Sequence, residues 1–563
     1  MQDREFDFII VGSGSAGSVL ASRLSEDPAN SVLVIEFGGR DNSIFIKMPS
    51  ACYIPMSRNR FDWGFESEPE PRLNGRLILQ PRGKVIGGTS SINGMCYVRG
   101  HAGDYDEWEV LGAAGWNYAN CLPYFKRAED CSYGGDDYRG DSGPMGICNG
   151  NDMANPLHRA FIEAGAQAGY LHSGDVNGYQ QEGFGRMDMT IKNGERSSTA
   201  TAYLKPAMKR PNLAVEMHAL TRLVLMEGKR AVGVEYSKGG QTFQVRARRE
   251  VILSAGPVNS PKLLMLSGIG DSAQLSEHGI ETVHHRPGVG ENLHDHLSVW
   301  VQHACTQPIT LNGRMGLLSK AMIGLRWLLF RDGLGATNHY ESNGYIRSRP
   351  GLSFPNIQHH FLAGALVFDG SNTHDGHGYG ALFNPAKPKS RGRVRLQSGD
   401  AAQAPTLLFN YLGHEDDRAL YRLGVKLTRE ILAQAPFDPY RGREINPGPE
   451  IQSDDDIDAW IADNAKTCYH PCGTCKMGID AAAVVDPQTR VHGVEGLRVV
   501  DSSIMPYITN GNLNGPTIMM GERASDLILG KDPLPPSNAP AHYAGDWQNS
   551  QRSEAPLRTL ARS

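Results

Sequence analysis

The stretch FDFIIVGSGSAGSVLASRLSEDPANSVLVIEFGG, Phe6 to Gly39, decides the fold. A short apolar run ends in glycine, a helical pattern rich in small residues follows, and a second apolar run ends in Glu36. This order is typical of a β-α-β unit with buried parallel strands. The sequence therefore predicts an α/β fold that opens with a Rossmann-like domain.

The turn between the first strand and the helix carries a G-x-G-x-x-G pattern. Its first glycine permits the tight turn, its second lets the backbone approach a pyrophosphate, and its third lets helix and strand pack closely. Glu36, at the end of the second strand, can accept hydrogen bonds from both ribose hydroxyls of an adenosine. The predicted dinucleotide-binding residues here are Gly12, Ser13, Gly14, Ser15, Ala16, Gly17 and Glu36.

A second loop, PRGKVIGGTSSINGMCYVRG from Pro81 to Gly100, decides between NAD and FAD. Its backbone amides and hydroxyls can reach phosphates or the edge of a flavin, and Asn93 can reach a ring heteroatom. An NAD domain needs no such loop, whereas a longer and buried flavin does. The sequence therefore predicts bound FAD, with contacts from Gly87, Gly88, Thr89, Ser90 and Asn93.

Composition excludes several classes of protein. The chain has 563 residues, 40% of them hydrophobic and 21% charged, with a net charge of −5. This balance, without long single-sign runs, does not indicate nucleic-acid binding. Nine cysteines in so long a chain favour free thiols over a disulfide framework.

No signal peptide and no apolar run long enough to span a bilayer are recognised, so we expect a cytoplasmic protein. The segment LLSKAMIGLRWLLF, Leu317 to Phe330, is amphipathic with basic interruptions. A half-buried helix is the favoured interpretation, and peripheral contact with a membrane surface is the alternative.

Periodicity along the chain predicts two domains. Residues 1–155, 195–310 and 465–533 are expected to form a discontinuous FAD-binding domain. Residues 156–194 and 311–464, where strands and helices mix, are expected to form an α+β substrate-binding domain. The tail, residues 534–563, has a composition typical of disorder.

The stretch YHPCGTCKMG, Tyr469 to Gly478, resembles a metal site. Together with Cys468 just before it, the stretch offers Cys468, His470, Cys472 and Cys475 within eight positions. Pro-Cys-x-x-Cys and the His-x-Glu at His339 are together the two halves of a zinc-deaminase pattern. Four ligands so close in sequence, with a proline among them, wrap poorly around a tetrahedral ion. The two halves are also far apart along the chain and in different predicted domains. Zinc chemistry is therefore a remote alternative and no metal site is predicted, while a thiol pair lacks its usual fold context.

Four blocks together resemble the glucose-methanol-choline (GMC) family of FAD-dependent alcohol oxidoreductases. They are GSGSAG with Glu36, GKVIGGTSSINGMCYVRG, GPVNSPKLLMLSGIG, and HPCGTCKMG followed by VVDSSIMP and GNLNGPTIMMGER. The resemblance covers nearly all of the chain except its tail. It implies the two-domain GMC fold, in which an alcohol loses a proton to a base and a hydride to flavin N5.

The resemblance also assigns roles to single residues. The His of H-P-x-G-T, here His470, is the family's catalytic base, and the second Asn of N-x-N, here Asn514, is its partner. Asn512 then supports the pair or the flavin. Asp501 matches a residue beside the ribityl-pyrophosphate region, and Val224 matches a backbone contact to adenine. Where some members bind flavin covalently through histidine this chain has Ile92, which implies noncovalent FAD.

For the substrate, the resemblance implies choline, oxidised to betaine aldehyde and onward to betaine. A trimethylammonium group favours a carboxylate and aromatic faces in a desolvated pocket. Glu341 matches the position of such a carboxylate, Tyr340 flanks it, and His360 matches a further pocket histidine. Another primary alcohol is the alternative substrate, and no motif identifies the electron acceptor.

Overall fold

The computed structural model describes residues 5–57, 60–150, 152–366 and 374–558. Its two large sheets use the following strands, in chain order: β1 (Glu5–Val11), β2 (Val32–Glu36), β3 (Gly183–Arg186), β4 (Leu213–Met217), β5 (Leu220–Glu227), β6 (Arg230–Lys238), β7 (Gln241–Leu253), β8 (Leu297–Cys305), β9 (Ser342–Ile346), β10 (Ile357–Leu362), β11 (Gly378–Pro385), β12 (Arg441–Asn446), β13 (Lys466–Thr467) and β14 (Leu497–Val499).

The helices of eight residues or more in these ranges are α1 (Ser15–Leu24), α2 (Ala102–Val110), α3 (Tyr118–Ala128), α4 (Pro156–Gln167), α5 (Gly256–Leu266), α6 (Leu317–Phe330), α7 (Glu415–Leu432), α8 (Asp454–Asn464) and α9 (Asn514–Leu529). Helices α1, α3 and α9 pack together beside the first sheet.

The first sheet has seven strands in the order β4-β2-β1-β7-β6-β5, with β14 also paired to β7. Strands β4, β2, β1, β7 and β14 are parallel to one another, and β6 and β5 extend the sheet from β7 as an antiparallel meander. The run Phe8–Val11 is completely buried, as a central parallel strand covered on both faces requires. This is the predicted Rossmann-like domain.

The second sheet also has seven strands, in the order β12-β8-β11-β10-β9-β3, with β13 also paired to β8. Its strand β8 lies between residues 297 and 305, inside the range 195–310 that the sequence assigned to the first domain. The chain thus enters the second sheet before the predicted boundary. The reason is that β8 is buried along most of its length, so its pattern does not differ from that of a first-domain strand.

Two further elements differ from the sequence-based prediction. Helix α6 buries only Trp327, so the favoured interpretation of a half-buried helix is wrong.

The tail, predicted to be disordered, has no helix or strand but is held by hydrogen bonds as far as Ser553. The backbone amides of Ser537, His542 and Ser553 donate to the carbonyls of Ala119, Tyr179 and Gly169. The tail therefore lies as an extended strap across both domains.

Candidate active site

A cavity of about 340 Å³ opens where the two sheets meet. One end borders the glycine loop after β1, and the other is walled by aromatic and aliphatic side chains of the second domain. Ligand cavities of this kind commonly lie at the carboxyl ends of parallel strands. The predicted site residues that line it are Gly12, Gly14, Ser15, Ala16, Glu36, Gly88, Thr89, Asn93, Tyr340, His360, His470, Asp501, Asn512 and Asn514.

The glycine loop has the close approaches that its pattern predicts. A β-carbon on Gly12 would lie 2.5 Å from the carbonyl oxygen of Ser254, and one on Gly17 would lie 2.0 Å from that of Gly12. A β-carbon on Gly88 would lie 2.7 Å from the Gly14 Cα, so the two loops touch through glycines. Side chains at these positions would collide with neighbouring backbone, so only glycine allows the loops to pack this closely.

Four of the predicted loop residues support the cavity wall from behind. Ser13 donates from its amide and its hydroxyl to Glu36 Oε2, at 3.0 and 2.8 Å, and Gly17 packs against Gly12. Gly87 adopts a left-handed conformation, with φ of 83°, and accepts a hydrogen bond at its carbonyl from the Ser90 hydroxyl. These residues shape the loops without lining the cavity.

Glu36 is fixed at the end of β2. Besides the two bonds from Ser13, its Oε1 accepts the Gly38 amide at 2.6 Å. Burial raises the pKa of this carboxyl, and the donated hydrogen bonds oppose that rise. A carboxylate in this position presents its remaining lone pairs to the cavity, where ribose hydroxyls can donate to it.

The predicted adenine contact at Val224 is wrong. The Val224 amide donates to Ser267 Oγ at 2.8 Å and the residue does not line the cavity. Thr221, three positions earlier, does, and its buried hydroxyl has no hydrogen-bond partner among the described residues. A buried hydroxyl without a partner indicates a ligand group that supplies one, so this end of the cavity fits an adenosine.

The second loop and β14 complete the dinucleotide end. Thr89 Oγ1 accepts the Gly83 amide at 3.1 Å, and Asn93 Oδ1 accepts from Met95 and Arg196. Asp501 follows β14, and its carboxylate accepts the Gly256 amide at 2.9 Å and the Ser260 hydroxyl at 2.6 Å. Burial raises the pKa of Asp501. The residues present therefore fit a dinucleotide along this whole wall.

The structure reverses the predicted roles of the two asparagines. Asn512 Nδ2 lies 3.1 Å from His470 Nε2, while Asn514 Oδ1 accepts the Ser15 hydroxyl at 2.8 Å. Asn514 is the first residue of α9, and its side chain therefore points at the start of α1 and the glycine loop. Asn512 precedes the helix and faces the base. The prediction that Asn514 pairs with His470 is therefore wrong.

The orientation of the His470 ring follows from a chain of acceptors. The Ala386 carbonyl lies 3.0 Å from His296 Nε2 and can only accept, so we assign the proton of His296 to Nε2. His296 Nδ1 then accepts from His470 Nδ1, at 3.0 Å. This leaves His470 Nε2 as an unprotonated nitrogen facing Asn512 and the cavity.

The Asn512 amide is oriented from its other side. Gln358 Nε2 donates to Asn512 Oδ1 at 3.2 Å, which turns the Asn512 amino group toward His470. Burial, with His296, His360 and Arg82 nearby, holds the pKa of His470 well below its usual value. The imidazole is consequently neutral at physiological pH and available to take a proton.

The substrate end of the cavity is aromatic and aliphatic. The Tyr340 ring stands edge-on to the His360 ring, with centroids 6.0 Å apart, and Leu362 and Leu366 line the same cavity. Burial lowers the pKa of His360 to about 4, and its Nδ1 is buried without a hydrogen-bond partner among the described residues. This ring nitrogen is therefore available to a bound molecule.

Glu341 is not part of this end. Successive side chains of an extended segment point to opposite sides, so Tyr340 faces the cavity and Glu341 faces away from it. Its Oε1 accepts the Thr337 hydroxyl at 3.2 Å, and burial raises its pKa. The described carboxylates that line the cavity are Glu36 and Asp501, both at the dinucleotide end. Its Oε2 is buried without a hydrogen-bond partner among the described residues, so a contact between Glu341 and the substrate stays a prediction.

Two of the three cysteines around His470 lie in the core, whereas Cys468 lines the cavity. Cys472 and Cys475 are completely buried, and burial raises the pKa of both thiols well above the usual value. Within residues 5–57, 60–150, 152–366 and 374–558, no group of three or more His, Cys, Asp or Glu side chains is arranged to hold a metal ion.

Comparison with known proteins is decisive at this point. Sequence models of the two parts of the GMC oxidoreductase family match residues 6–298 and 388–521. The chain belongs to the GMC oxidoreductase family. Oxygen-dependent choline dehydrogenase of Photobacterium profundum is 55% identical over 558 residues, 99% of this chain and 98% of that protein. The protein of the same name from Brucella ovis is 56% identical over 550 residues, 97% of this chain and all of that protein.

Solved structures of other GMC enzymes have the same fold. Pyridoxine 4-oxidase from Mesorbium loti has a TM-score of 0.84 at 31% identity, over 94% of this chain and all of that one. Formate oxidase from Aspergillus oryzae, described with its FAD modification, has a TM-score of 0.86 at 26% identity, over 94% of this chain and 99% of that one. The predictions of the family, of the two-domain α/β fold and of FAD as cofactor are confirmed.

Sequence reasoning missed Thr221, His296 and Gln358. Thr221 lies three residues from the predicted Val224 in the same strand. His296 belongs to the tripeptide His294-Asp295-His296, whose two histidines around an acid could have indicated a buried polar network. Gln358 is a polar residue in a completely buried strand, which is itself a signal for a hydrogen-bonded role.

Proposed function

We propose that this chain catalyses the FAD-dependent oxidation of choline to betaine aldehyde. The observation that carries the proposal is the His470–Asn512 pair, 3.1 Å apart, in the wall of the cavity that begins at the glycine loop. A base and an amide donor at one end of a dinucleotide site are what alcohol oxidation requires. Choline is supported by the relatives named choline dehydrogenase, which match nearly the whole chain.

The cofactor has a defined set of contacts in this proposal. Gly12, Gly14 and Ser15 would hold its pyrophosphate, Glu36 and Thr221 its adenosine, and Gly88 and Thr89 its flavin half, since all of them line the cavity. Bound FAD supplies the acceptor for the hydride that leaves the alcohol carbon. Ile92 lines the cavity with an aliphatic side chain, so FAD is held without a covalent bond.

His470 and Asn512 act on the alcohol hydroxyl. When the hydroxyl lies within hydrogen-bond reach of both, His470 Nε2 accepts its proton and the Asn512 amino group donates to the alkoxide oxygen. The resulting imidazolium keeps its hydrogen bond from Nδ1 to His296, which stabilises its charge inside the protein. General-base catalysis of this kind contributes about 10²–10⁴-fold to the rate.

The trimethylammonium group is recognised by ring faces. Tyr340 lines the cavity beside His360, and a cation over such a ring gains about 0.5–2 kcal/mol when water is excluded. His360 is neutral at physiological pH because burial lowers its pKa to about 4, so it adds no repulsion. Betaine aldehyde keeps the same head group, and its hydrate can return to His470 for a second oxidation, to betaine.

An uncharged primary alcohol is the second candidate substrate. The absence of Glu341 from the cavity wall favours it, because no described carboxylate lines the cavity beside Tyr340 to neutralise a cation. Choline and 3,3-dimethylbutan-1-ol, its uncharged isostere, separate the two proposals. A choline enzyme has a higher kcat/KM for choline, whereas an enzyme for neutral alcohols prefers the isostere.

The test is anaerobic mixing of the purified flavoprotein with each alcohol. Choline should bleach the flavin absorbance and yield betaine aldehyde, and failure to bleach at millimolar choline refutes the proposed substrate. His470→Ala should retain flavin and lose at least about 10²-fold in the bleaching rate. Acid precipitation should release the flavin into the supernatant, and chromophore left in the pellet contradicts noncovalent binding.

We further propose that the protein works in the cytoplasm in peripheral contact with a membrane. No helix in the described ranges has the length and apolar character needed to cross a bilayer. Contact would instead use a surface of the folded protein, and helix α6 is the element that exposes apolar side chains most extensively.

A further inference from the structure

Helix α6 exposes a continuous apolar face. Its large apolar side chains Leu317, Leu318, Met322, Leu325, Leu328, Leu329 and Phe330 are 48% to 87% exposed. Successive residues of a helix are rotated by about 100° around its axis. On this basis all of these side chains except Phe330, together with Ala321, fall within one arc of about 140° around the helix. Single exposed apolar residues are common on proteins, but a contiguous patch of this kind marks an interaction surface.

The opposite side of the helix holds it to the protein. Trp327 is 1% exposed, and its indole nitrogen donates to the Gly194 carbonyl at 2.7 Å. Arg331, just after the helix, stacks its guanidinium 4.0 Å from the Trp327 ring centroid and pairs with Glu195 at 2.9 Å. The helix is therefore anchored along one side by Trp327 and presents its apolar face outward.

Charge accompanies the apolar face. Between Leu311 and Asp332 the chain has four basic residues, Arg314, Lys320, Arg326 and Arg331, and one acidic residue. Arg314 and Lys320 are exposed, and Arg326 pairs with Asp332 at 2.7 Å. Long basic side chains beside an apolar face can extend to phosphate groups while the apolar residues enter the acyl boundary.

The position of the helix connects it to the site. The cavity is lined by Leu311, which precedes α6, and by Asn338 to Tyr340, which follow it. The helix therefore belongs to a segment that leaves the cavity wall and returns to it. Met48 and Trp327 both border Gly335, which places the short helix Ile44–Lys47 beside α6. Ile44 and Phe45 of that short helix are each 39% exposed.

We propose that α6 is a docking surface for an anionic lipid bilayer, with the helix lying in the plane of the membrane. The apolar arc enters the headgroup and acyl boundary, and Arg314 and Lys320 contact lipid phosphates. Docking places the wall of the catalytic cavity next to the membrane. This inference deepens the proposed peripheral contact and does not depend on choline as the substrate.

A second copy of the chain is the other possible occupant of the apolar face of α6, and the test must distinguish it from a bilayer. A protein partner would have to match an apolar arc that is flanked by basic groups on a projecting helix. Two copies meeting through α6 would bring Arg314 and Lys320 of each near those of the other, which is unfavourable. Anionic lipid complements both the apolar arc and the positive charge.

The experiment is cosedimentation of the full-length flavoprotein with phosphatidylglycerol vesicles and with phosphatidylcholine vesicles. The wild type should bind phosphatidylglycerol more strongly, and added salt should weaken that binding. Leu325→Gln with Leu329→Gln should lower the partition coefficient at least about tenfold for both lipids. Lys320→Gln should lower it about fivefold for phosphatidylglycerol only.

Matched controls come from other exposed apolar residues. Val110 and Ile479 are 86% and 77% exposed and lie outside α6, so Val110→Gln with Ile479→Gln should bind vesicles like the wild type. All variants should keep their flavin and their turnover with a soluble electron acceptor, whatever alcohol is oxidised. A wild type that sediments with neither vesicle overturns the proposal. So does a wild-type dimer in light scattering that the α6 double variant converts to monomer.

Discussion

Replacing His296 tests the assignment of His470 as the base without touching the base itself. In the structure His296 Nδ1 accepts the hydrogen bond from His470 Nδ1 at 3.0 Å, and the Ala386 carbonyl fixes the protonation of His296 from the other side. His296→Leu removes the acceptor and leaves the volume largely filled. His470 then loses the preference that keeps its proton on Nδ1 and its lone pair on Nε2, toward the cavity.

The magnitude follows from the hydrogen bond that is lost. A buried donor without a partner costs about 1–3 kcal/mol, and more when the group becomes charged, as His470 does in the transition state. At about 1.4 kcal/mol per tenfold change, this corresponds to a loss of about 5- to 150-fold in the rate of flavin reduction. His296→Asn can place Oδ1 near the position of Nδ1, so it should recover most of that loss.

The assay is stopped-flow flavin bleaching under anaerobic conditions at saturating alcohol. His296→Leu should lower the limiting rate with little change in the apparent Kd of the alcohol or in flavin content. His158→Leu is the matched control, because His158 is also buried and bonds a side chain, Ser342, at 2.8 Å, but does not line the cavity. Equal limiting rates in His296→Leu and wild type would refute the proton chain and the base assignment with it.

Three other predictions rest on single contacts. Asn512→Ala should slow flavin reduction about 10²-fold or more with flavin retained, whereas Asn514→Ala should mainly raise flavin loss on dilution, measured by fluorescence of the filtrate. Burial lowers the pKa of His158 to about 3, so protons bind the unfolded state more tightly below about pH 6.5. In urea unfolding, wild type should therefore lose about 1.4 kcal/mol per pH unit relative to His158→Leu as the pH falls. Arg552→Ala should lower stability by about 1 kcal/mol because Arg552 ties the tail to Glu430, while Arg558→Ala, at an exposed pair, should change it little.

The glycine loops and β1–α1–β2 could be predicted because their signal is local. Backbone approaches such as that of Gly17 to Gly12 are possible only for glycine, so the residue type itself reports the geometry. The alternation of strand and helix patterns likewise reports burial over a few residues. Both kinds of information are contained in a short window of sequence.

Side-chain direction could not be predicted in the same way. Asn512 and Asn514 are two residues apart, and only the start of α9 at Asn514 decides which one faces His470. Val224 lies three residues from Thr221 in β5, and matching the family pattern onto this strand did not reveal which of the two lines the cavity. Glu341 follows Tyr340 directly, and consecutive side chains of an extended segment point to opposite sides of it.

The predictions for two surface elements, helix α6 and the tail, were wrong for another reason. The composition of helix α6 and of the tail indicates whether their side chains favour water or an apolar environment. It does not show which other parts of the protein pack against them. An amphipathic pattern predicts that one face is buried, but in α6 the face that packs is the narrow one with Trp327. The tail is held partly through its backbone amides and carbonyls, which leave no mark on its residue types, and partly through the side chains of Gln551 and Arg552.

The tripeptide His294-Asp295-His296 explains how the distant parts of the site are held together. His294 Nε2 accepts the amide of Ile508, in the segment that leads to Asn512, at 2.9 Å. The Asp295 carboxylate accepts the amide of His470 at 2.7 Å, and His296 orients the ring of the same residue. The tripeptide immediately precedes β8, a strand of the second sheet.

The base and its amide partner are therefore positioned from one point of the second domain, while Ser15 and Asn514 attach the same segment to the glycine loop of the first. The distance from His470 to the cofactor site is consequently set by two rigid attachments and not by a flexible loop. A reaction that moves a proton to His470 and a hydride to the flavin needs that distance to be constant. The buried polar network at the boundary between the sheets provides it.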